Sequence, residues 1–245
     1  MQKFFVPEAD LRGERISLSG SHGEHLRVLR VRPGEELILS DGKGKEARCV
    51  VETAGKADFE LRILEWTAAT GEADVCVTVY AAYPKGDKAE LIVQKAVELG
   101  AASIVFFLSE RCVARPDERS AAGKADRLGK IAEAAAMQSG RGRIPEVRWI
   151  PKYADMLSEA SKTQVAAFFW EEARDLSFRS LLTSKMPFES AALITGPEGG
   201  FSAREAEQAV SAGISAVTLG KRILRCETAP LCALTALMYE TGNMD

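Results

Sequence analysis

The sequence predicts an α/β fold in two parts, a small and mostly β domain over residues 1–70 and a larger α/β domain over residues 74–245. Three observations favour this division. Short apolar runs separated by turns fill the first part, and apolar runs alternating with helical segments fill the second. The small and polar residues of "TAATGEAD" between them are typical of a linker. Alternating strands and helices indicate a parallel sheet covered on both faces.

The first part contains a predicted hairpin. In "EELILSDGKGKEARCVVETA" two apolar runs flank residues 41–44, whose composition is typical of a turn between antiparallel strands. The run "DFELRILEW" alternates apolar and polar residues, which predicts a third, half-buried strand. Between the N-terminus and the hairpin, "SGSHGEHLRVLRVRPGE" predicts a short helix that ends at Pro33 and Gly34.

The second part contains five predicted buried strands, in "VCVTVYAAY", "SIVFFL", "QVAAFFW", "AALIT" and "SAVTL". The helix after the first strand has Asp87 and Glu90 at the spacing of a capping box, and Gly100 marks its end. Further helices are predicted in "KADRLGKIAEAAAMQSG" and "LCALTALMYE". Strand and helix therefore alternate along this part of the chain.

Composition limits the classes of function. The net charge of -3 and the pI near 5.7 argue against a general nucleic-acid binder, so any RNA-binding charge must be local. No apolar run is long enough to cross a bilayer and the first residues lack a secretory signal, so we expect a cytoplasmic protein.

Metal binding is not expected. The five cysteines are scattered and form no CxxC pair, which argues against a disulfide framework and against a zinc site. His22 and His25 have HxxH spacing but lack a third ligand nearby. A surface or RNA-facing role is favoured for both histidines.

Four unusual loops each follow a predicted strand of the second part: "KGDK", "SERCVARP", "TGPEGGFS" and "GKRILRCETAP". Because ligands bind outside the carboxyl ends of parallel strands, we expect these loops to form one crevice. The glycine-rich loop matches neither common phosphate-binding motif. It is either a sharp turn into a helix capped by Ser202 and Glu205, or a segment whose backbone approaches a ligand such as adenine and ribose.

Basic residues concentrate in the same loops. Lys221, Arg222 and Arg225 surround two apolar residues in "GKRILRCETAP". This pattern is typical either of a solvated loop or of a loop that wraps a ligand while its cations face an anion. Further arginines lie in "SERCVARP" and in the glycine-rich turn "QSGRGRIP", where phosphate contacts are their natural use.

Taken together, these motifs resemble one enzyme family. The segments "ITGPEGGFS", "LGKRILRCETA", "KGDKAELIVQKAVELG", "SERCVARP" and "EAAAMQSGR" resemble the ribosomal RNA small subunit methyltransferase E family, which are uridine-N3 methyltransferases of the SPOUT superfamily. "FFVPE" and "HLRVLRVRPGEELILSDGKG" resemble that family's PUA-like RNA-binding β-barrel domain. The resemblance covers nearly the whole chain.

The resemblance implies that S-adenosylmethionine methylates N3 of one uridine in 16S rRNA of the small ribosomal subunit, and that the enzyme is a homodimer with a deep trefoil knot in its methyltransferase domain. It implies two knot loops, Gly196 to Gly200 and Leu219 to Arg225, with the cofactor between them. The expected cofactor-binding residues are Ile194, Thr195, Gly196, Gly199, Gly200, Leu219, Gly220, Ile223, Leu224 and Thr228.

Methyl transfer is an in-line displacement that needs alignment more than a nucleophilic side chain. The acceptor nitrogen loses a proton, and an arginine could stabilise the negative charge that spreads to the uracil carbonyl oxygens. Arg225 is the first choice for this catalytic role and Arg222 the next. Glu198 is either a proton acceptor or a brace for the loops through backbone N–H bonds. The expected RNA-binding residues are Arg27, Arg30, Arg111, Arg115, Arg141, Arg143 and Arg222.

Two alternatives remain open. One is a catalytically inactive RNA-binding assembly factor with the same fold, which would not bind S-adenosylmethionine. The other is a related knotted enzyme that acts on tRNA or on a ribose 2′-hydroxyl, which would place the methyl group elsewhere.

Overall fold

The computed structural model describes residues 1–8, 10–56 and 58–244. The chain forms two compact units. The first comprises Met1–Glu72 together with Ala136–Ile144, and the second comprises Ala73–Ala135 together with Pro145–Asp245. The short segment Ala136–Ile144 lies within the range that the sequence assigned to the larger domain, yet it packs with the smaller unit.

The first unit is built on a five-stranded sheet with the order β1-β3-β4-β5-β2, in which β1 and β3 are parallel and the other pairs are antiparallel. The predicted hairpin and third strand are confirmed as β3, β4 and β5. Buried side chains from these strands, among them Leu39, Phe59 and Leu61, form its core. Its elements are β1 (Gln2–Phe5), β2 (Arg15–Leu18), α1 (Gly20–Val28), β3 (Glu36–Ser40), β4 (Lys45–Ala54) and β5 (Phe59–Ala68).

The second unit contains a six-stranded, wholly parallel sheet, which confirms the predicted α/β class. Its elements are β6 (Cys76–Ala82), α2 (Lys88–Glu98), β7 (Ser103–Phe107), α3 (Glu118–Gln138), β8 (Glu146–Ile150), α4 (Tyr153–Ala160), β9 (Val165–Phe169), α5 (Phe178–Lys185), β10 (Ser190–Thr195), α6 (Ala203–Ser211), β11 (Ser215–Val217) and α7 (Thr228–Glu240). The last three residues of α3 belong to the first unit.

The order of this sheet is β11-β9-β10-β6-β7-β8. Strand β9 lies between β10 and β11, although helices α5 and α6 separate these three strands along the chain. Because all strands are parallel, their carboxyl ends meet at one edge, as expected for a ligand-binding crevice. Strand β8 was missed in the sequence, since this edge strand is half-buried and interrupts its apolar residues with Glu146 and Arg148.

Helix boundaries follow local backbone chemistry, and one predicted cap is wrong. Helix α6 begins with a complete capping box between Ser202 and Glu205. Asp87 precedes α2, but its side chain makes no capping bond because its backbone (φ -89°, ψ 6°) is not in the extended conformation that Ser202 adopts. Gly100 follows α2 with a φ of 93°, so its predicted role at the helix end is confirmed.

Helix α1 ends earlier than predicted. Its last residue is Val28, and Arg30 adopts a left-handed φ of 58°, which stops the helix before Pro33 is reached. None of the described helices is long and apolar enough to cross a membrane.

Candidate functional site

A cavity of about 580 Å³ lies at the carboxyl edge of the parallel sheet, within the second unit. Its walls are the loops that follow β9, β10 and β11, together with the first residues of α2 and α7. A volume of this size is typical of a site for a small molecule or cofactor. Of the four loops predicted to form one crevice, those after β10 and β11 line this cavity and "KGDK" contributes Lys88. None of the described residues of "SERCVARP" lines it, so that part of the prediction is wrong.

The glycine-rich loop after β10 forms one wall of the cavity, and a side chain is excluded at each of its glycines for a different reason. Gly200 has a φ of 66°, and a Cβ there would lie 3.3 Å from Glu171 Oε1. A Cβ on Gly196 would lie 3.2 Å from the ring of Phe201. Both residues line the cavity, as does Thr195. Side chains are excluded here, so the backbone forms the wall of the cavity.

Gly199 lies outside the cavity wall and serves packing against Arg111. A Cβ on Gly199 would lie 3.0 Å from Arg111 Cβ. The Arg111 guanidinium donates hydrogen bonds to the carbonyl oxygens of Gly199 at 3.1 Å and Phe201 at 3.4 Å. Arg111, predicted to contact RNA, therefore braces the glycine-rich loop.

Phe201 anchors the end of this loop in the core. Its side chain is 3% exposed, and its ring centroid lies 4.1 Å from that of Phe168 on β9. Directly after it, the Ser202 hydroxyl accepts a bond from the Glu205 N–H, and Glu205 accepts one from the Ser202 N–H. The interpretation as a capped turn is confirmed, and the same loop lines the cavity. Close approach of its backbone to a ligand stays a prediction.

Glu198 is held by two donors from the start of α2. Its Oε1 accepts from the backbone N–H of Lys85 at 3.0 Å and from Lys88 Nζ at 2.8 Å. Burial alone would raise the pKa of Glu198, but these bonds and one from its own backbone outweigh burial and lower its pKa to about 2. Such a carboxylate is a weak proton acceptor, so the geometry favours the bracing role.

The loop after β11 forms another wall and is far more exposed. All seven residues from Leu219 to Arg225 line the cavity. Ile223 is 82% exposed. Within the described part of the chain, the side chains of Lys221, Arg222 and Arg225 make no hydrogen bond or ion pair. Three exposed cations thus line the cavity.

The backbone of Arg225 is fixed although its side chain is exposed. Its carbonyl oxygen accepts hydrogen bonds from the N–H groups of Thr228 and Ala229, each at 2.9 Å, at the start of α7. Thr228, a predicted cofactor residue, is the first residue of α7 and does not line the cavity. Ile194, which was also predicted to bind the cofactor, is fully buried in the hydrophobic core.

A third wall was missed in the sequence. The segment after β9 contributes Trp170, Glu171, Glu172 and Arg174 to the cavity. The two exposed carboxylates are suited to accept hydrogen bonds from hydroxyl or amino groups of a ligand. The available signal was the position of this segment after a predicted strand, which places it at the same edge of the sheet.

Of the remaining arginines that were predicted to bind RNA, some bind other groups of the protein and the others are exposed. Arg115 donates to carbonyl oxygens of its own loop, including Ser109 O at 2.9 Å. Arg141 is 4% exposed, and its guanidinium lies 2.7 Å from Glu72. It is therefore not presented to a phosphate in this structure. The exposed side chains are those of Arg27, Arg30 and Arg143 in the first unit.

Glu72 explains the glycine-rich turn around Arg141. Its Oε1 accepts from the backbone N–H groups of Gly142 at 3.0 Å and Arg143 at 3.1 Å. A Cβ on Gly142 would lie 2.1 Å from Ala69 Cβ, so only glycine fits there. Among the described residues, no cluster of three or more histidines, cysteines or acidic residues is suited to hold a metal ion.

Two family models match the chain. A model described as an RNA methyltransferase domain matches residues 71–238, and one described as an RNA methyltransferase PUA domain matches residues 18–64. Together they cover both predicted parts of the protein.

Curated relatives named ribosomal RNA small subunit methyltransferase E are similar over almost the full length. The protein from Bacillus subtilis is 34% identical over 98% of this chain and 97% of its own length. That from Mycobacterium bovis is 35% identical over 99% of this chain and 93% of its own.

Solved structures agree with these relatives. The ribosomal RNA small subunit methyltransferase E of Neisseria gonorrhoeae, bound to S-adenosyl methionine, is 35% identical, with 98% of each chain covered and a TM-score of 0.86. A Legionella pneumophila protein in complex with the bound cofactor SAM is 32% identical, with 97% of each chain covered and a TM-score of 0.83. The chain described here thus belongs to the ribosomal RNA small subunit methyltransferase E family.

Proposed function

We propose that this protein transfers a methyl group from S-adenosylmethionine to N3 of one uridine in 16S rRNA of the small ribosomal subunit. The observation that carries the proposal is the cavity at the carboxyl edge of the parallel sheet, which is lined by the backbone of the glycine-rich loop and by the cationic loop after β11. Family membership supports the reaction class, and the cationic rim supports an anionic acceptor such as RNA.

The cavity fits the cofactor. Its volume of about 580 Å³ suits a nucleoside-sized ligand, and the backbone around Gly196 and Gly200 permits close approach of a flat base and its ribose. Glu171 and Glu172 are placed to accept hydrogen bonds from hydroxyl or amino groups. When bound, S-adenosylmethionine supplies a methyl group activated by its sulfonium.

Arg225 is the proposed catalytic residue. Its backbone is anchored at the start of α7, while its guanidinium is exposed at the cavity. A cation at this place stabilises the negative charge that develops on a uracil carbonyl oxygen as N3 reacts. Arg222 lines the cavity on the same loop, and we propose that it contacts the RNA backbone.

Glu198 braces the glycine-rich loop and does not accept the N3 proton of the uridine. A carboxylate whose pKa is about 2 is almost always ionised and accepts protons weakly. The N3 proton then leaves to water. If Glu198 were the base, a more alkaline solution would restore the rate of Glu198→Gln relative to the parent, because a deprotonated uridine needs no base. We expect no such recovery.

The RNA-binding part of the proposal rests on the first unit. Its arginines Arg27, Arg30 and Arg143 are exposed, and we propose that they contact rRNA phosphates. The homodimer, the trefoil knot and a cytoplasmic location stay predictions from the sequence.

One experiment tests the function. The protein is incubated with S-adenosylmethionine labelled in its methyl group and with small subunits from cells that lack this methylation, and the product nucleoside is identified by mass spectrometry. The proposal predicts 3-methyluridine at one position of 16S rRNA. Lack of cofactor binding would favour the inactive assembly factor, and label in tRNA or on a ribose would favour the related knotted enzyme.

A further inference from the structure

Lys88, the first residue of α2, contacts two separate walls of the cavity. Its Nζ lies 2.8 Å from Glu198 Oε1, in the glycine-rich loop, and 3.5 Å from Glu227 Oε2, directly before α7. It also lies 3.7 Å from the sulfur of Cys226. The side chain is 29% exposed and itself lines the cavity.

Through these contacts the ammonium of Lys88 bridges the glycine-rich loop and the segment directly before α7, which are far apart in sequence. Glu198 and Glu227 both lie within 3.5 Å of the same nitrogen. Removal of the cation would leave two carboxylates close together with no opposite charge between them, and like charges at short range repel. The walls would then be driven apart at the place where the cofactor is to bind.

We propose that Lys88 is a positioning residue, which holds the glycine-rich loop against the start of α7 and thereby sets the affinity for the cofactor. This inference rests on the proposed function, since it takes S-adenosylmethionine as the ligand of the cavity. Lys88 acts through Glu198 and Glu227 and not on the reacting atoms.

Lys85 offers a matched control. It is an exposed lysine three residues earlier, and it gives the same Glu198 oxygen only its backbone N–H. Lys85→Met therefore removes the same charge as Lys88→Met and keeps the hydrogen bond. A general effect of charge would weaken ligand binding in both variants, whereas loss of the bridge would weaken it only in Lys88→Met.

The test is calorimetric titration of S-adenosylmethionine into the parent, Lys85→Met, Lys88→Met, Glu198→Gln and the double variant Lys88→Met with Glu198→Gln. We expect Lys88→Met to weaken affinity about fivefold, which is the upper range for a partly exposed ion pair. Lys85→Met should change affinity less than about twofold. In the Glu198→Gln background, Lys88→Met should add less than about twofold, because the two residues act as one unit.

The outcomes separate the inference from the proposed function. A parent that does not bind S-adenosylmethionine overturns the function itself. A parent that binds while Lys88→Met binds equally well overturns the bridge alone, and so does an equal loss in both backgrounds, which would mean direct contact with the ligand. If Lys88→Met does not fold, Glu227→Gln tests the same bridge with Lys88 in place, and unchanged affinity there would also overturn it.

Discussion

Two loops that line the cavity differ in how firmly the protein holds them. The glycine-rich loop after β10 is fixed by Lys88 through Glu198, by Arg111 through two carbonyl oxygens, and by the buried ring of Phe201. In the basic loop after β11, Ile223 is 82% exposed, and the cationic side chains make no hydrogen bond or ion pair with the described residues. One wall is held by neighbouring elements, and the other is exposed to solvent.

This difference indicates a division of labour. A wall whose backbone is fixed before binding lowers the entropic cost of holding a small ligand. An exposed loop with three cations suits a large polyanionic acceptor that brings its own shape. We therefore assign cofactor affinity mainly to the glycine-rich loop, and acceptor chemistry mainly to the basic loop.

The largest expected effect falls on the basic loop. Arg225→Ala should lower the single-turnover methylation rate by roughly a hundred- to a thousandfold, the loss typical of one donor to a developing anion. Cofactor affinity should stay within about twofold, as the division of labour requires. Rapid-quench assays at saturating cofactor and RNA measure the rate. Lys221→Ala, on the same loop, is the control for loss of charge.

Two other results would contradict this assignment. A preserved saturated rate with weaker and less salt-dependent RNA binding would make Arg225 a phosphate contact. Loss of folding and of cofactor binding together would make it a structural brace.

The next largest effect falls on the glycine-rich loop. Gly200→Val forces a side chain into a left-handed conformation and towards Glu171, so we expect a free energy of unfolding lower by about 1 to 2 kcal/mol. Cofactor affinity should fall by more than about tenfold, since the wall itself is displaced. Denaturant unfolding and calorimetry measure the two quantities.

Gly213→Val is the matched control for that variant. Gly213 has a φ of 82° with no atom within 4 Å of its would-be Cβ, and it does not line the cavity. It carries a similar backbone strain without crowding. Equal losses of cofactor affinity in both variants would show that general destabilisation, and not the wall, is responsible.

A smaller effect is expected at Arg111. Arg111→Ala removes the guanidinium that holds two carbonyl oxygens of the glycine-rich loop, so cofactor affinity should fall by about three- to tenfold. The single-turnover rate at saturating cofactor should stay near the parental value. Arg119→Ala, at an exposed position of α3, serves as the control. A selective loss of RNA affinity would instead support the phosphate contact expected from the sequence.

The smallest effect concerns the acid stability of the glycine-rich loop. The folded-state pKa of Glu198 is about 2, below the ordinary 4.5. Its stabilising contribution is thus fully present above about pH 4.5 and is lost as the pH falls towards 2. The difference in free energy of unfolding between the parent and Glu198→Gln should shrink across this window. A constant difference in acid unfolding curves would contradict the ionised brace.

Local signals predicted much of this architecture, and contacts across the chain explain what they missed. The capping box of Ser202 and Glu205 and the apolar strands were readable because each depends on neighbouring residues. The Asp87 cap failed because backbone conformation, not spacing, decides whether the side chain reaches. The burial of Arg141 depends on Glu72, far away in sequence, and nothing local marks it.

Backbone order parameters of the two loops, from 15N relaxation, test the central claim most directly. In the free protein we expect high order parameters in residues 198–201, which Lys88, Arg111 and the buried ring of Phe201 hold, and low ones in residues 219–225. Addition of S-adenosylmethionine should raise the order parameters of residues 219–225 and change those of residues 198–201 little. Equally low order parameters of both loops in the free protein, raised equally on binding, would contradict the account of one firmly held wall and one exposed wall.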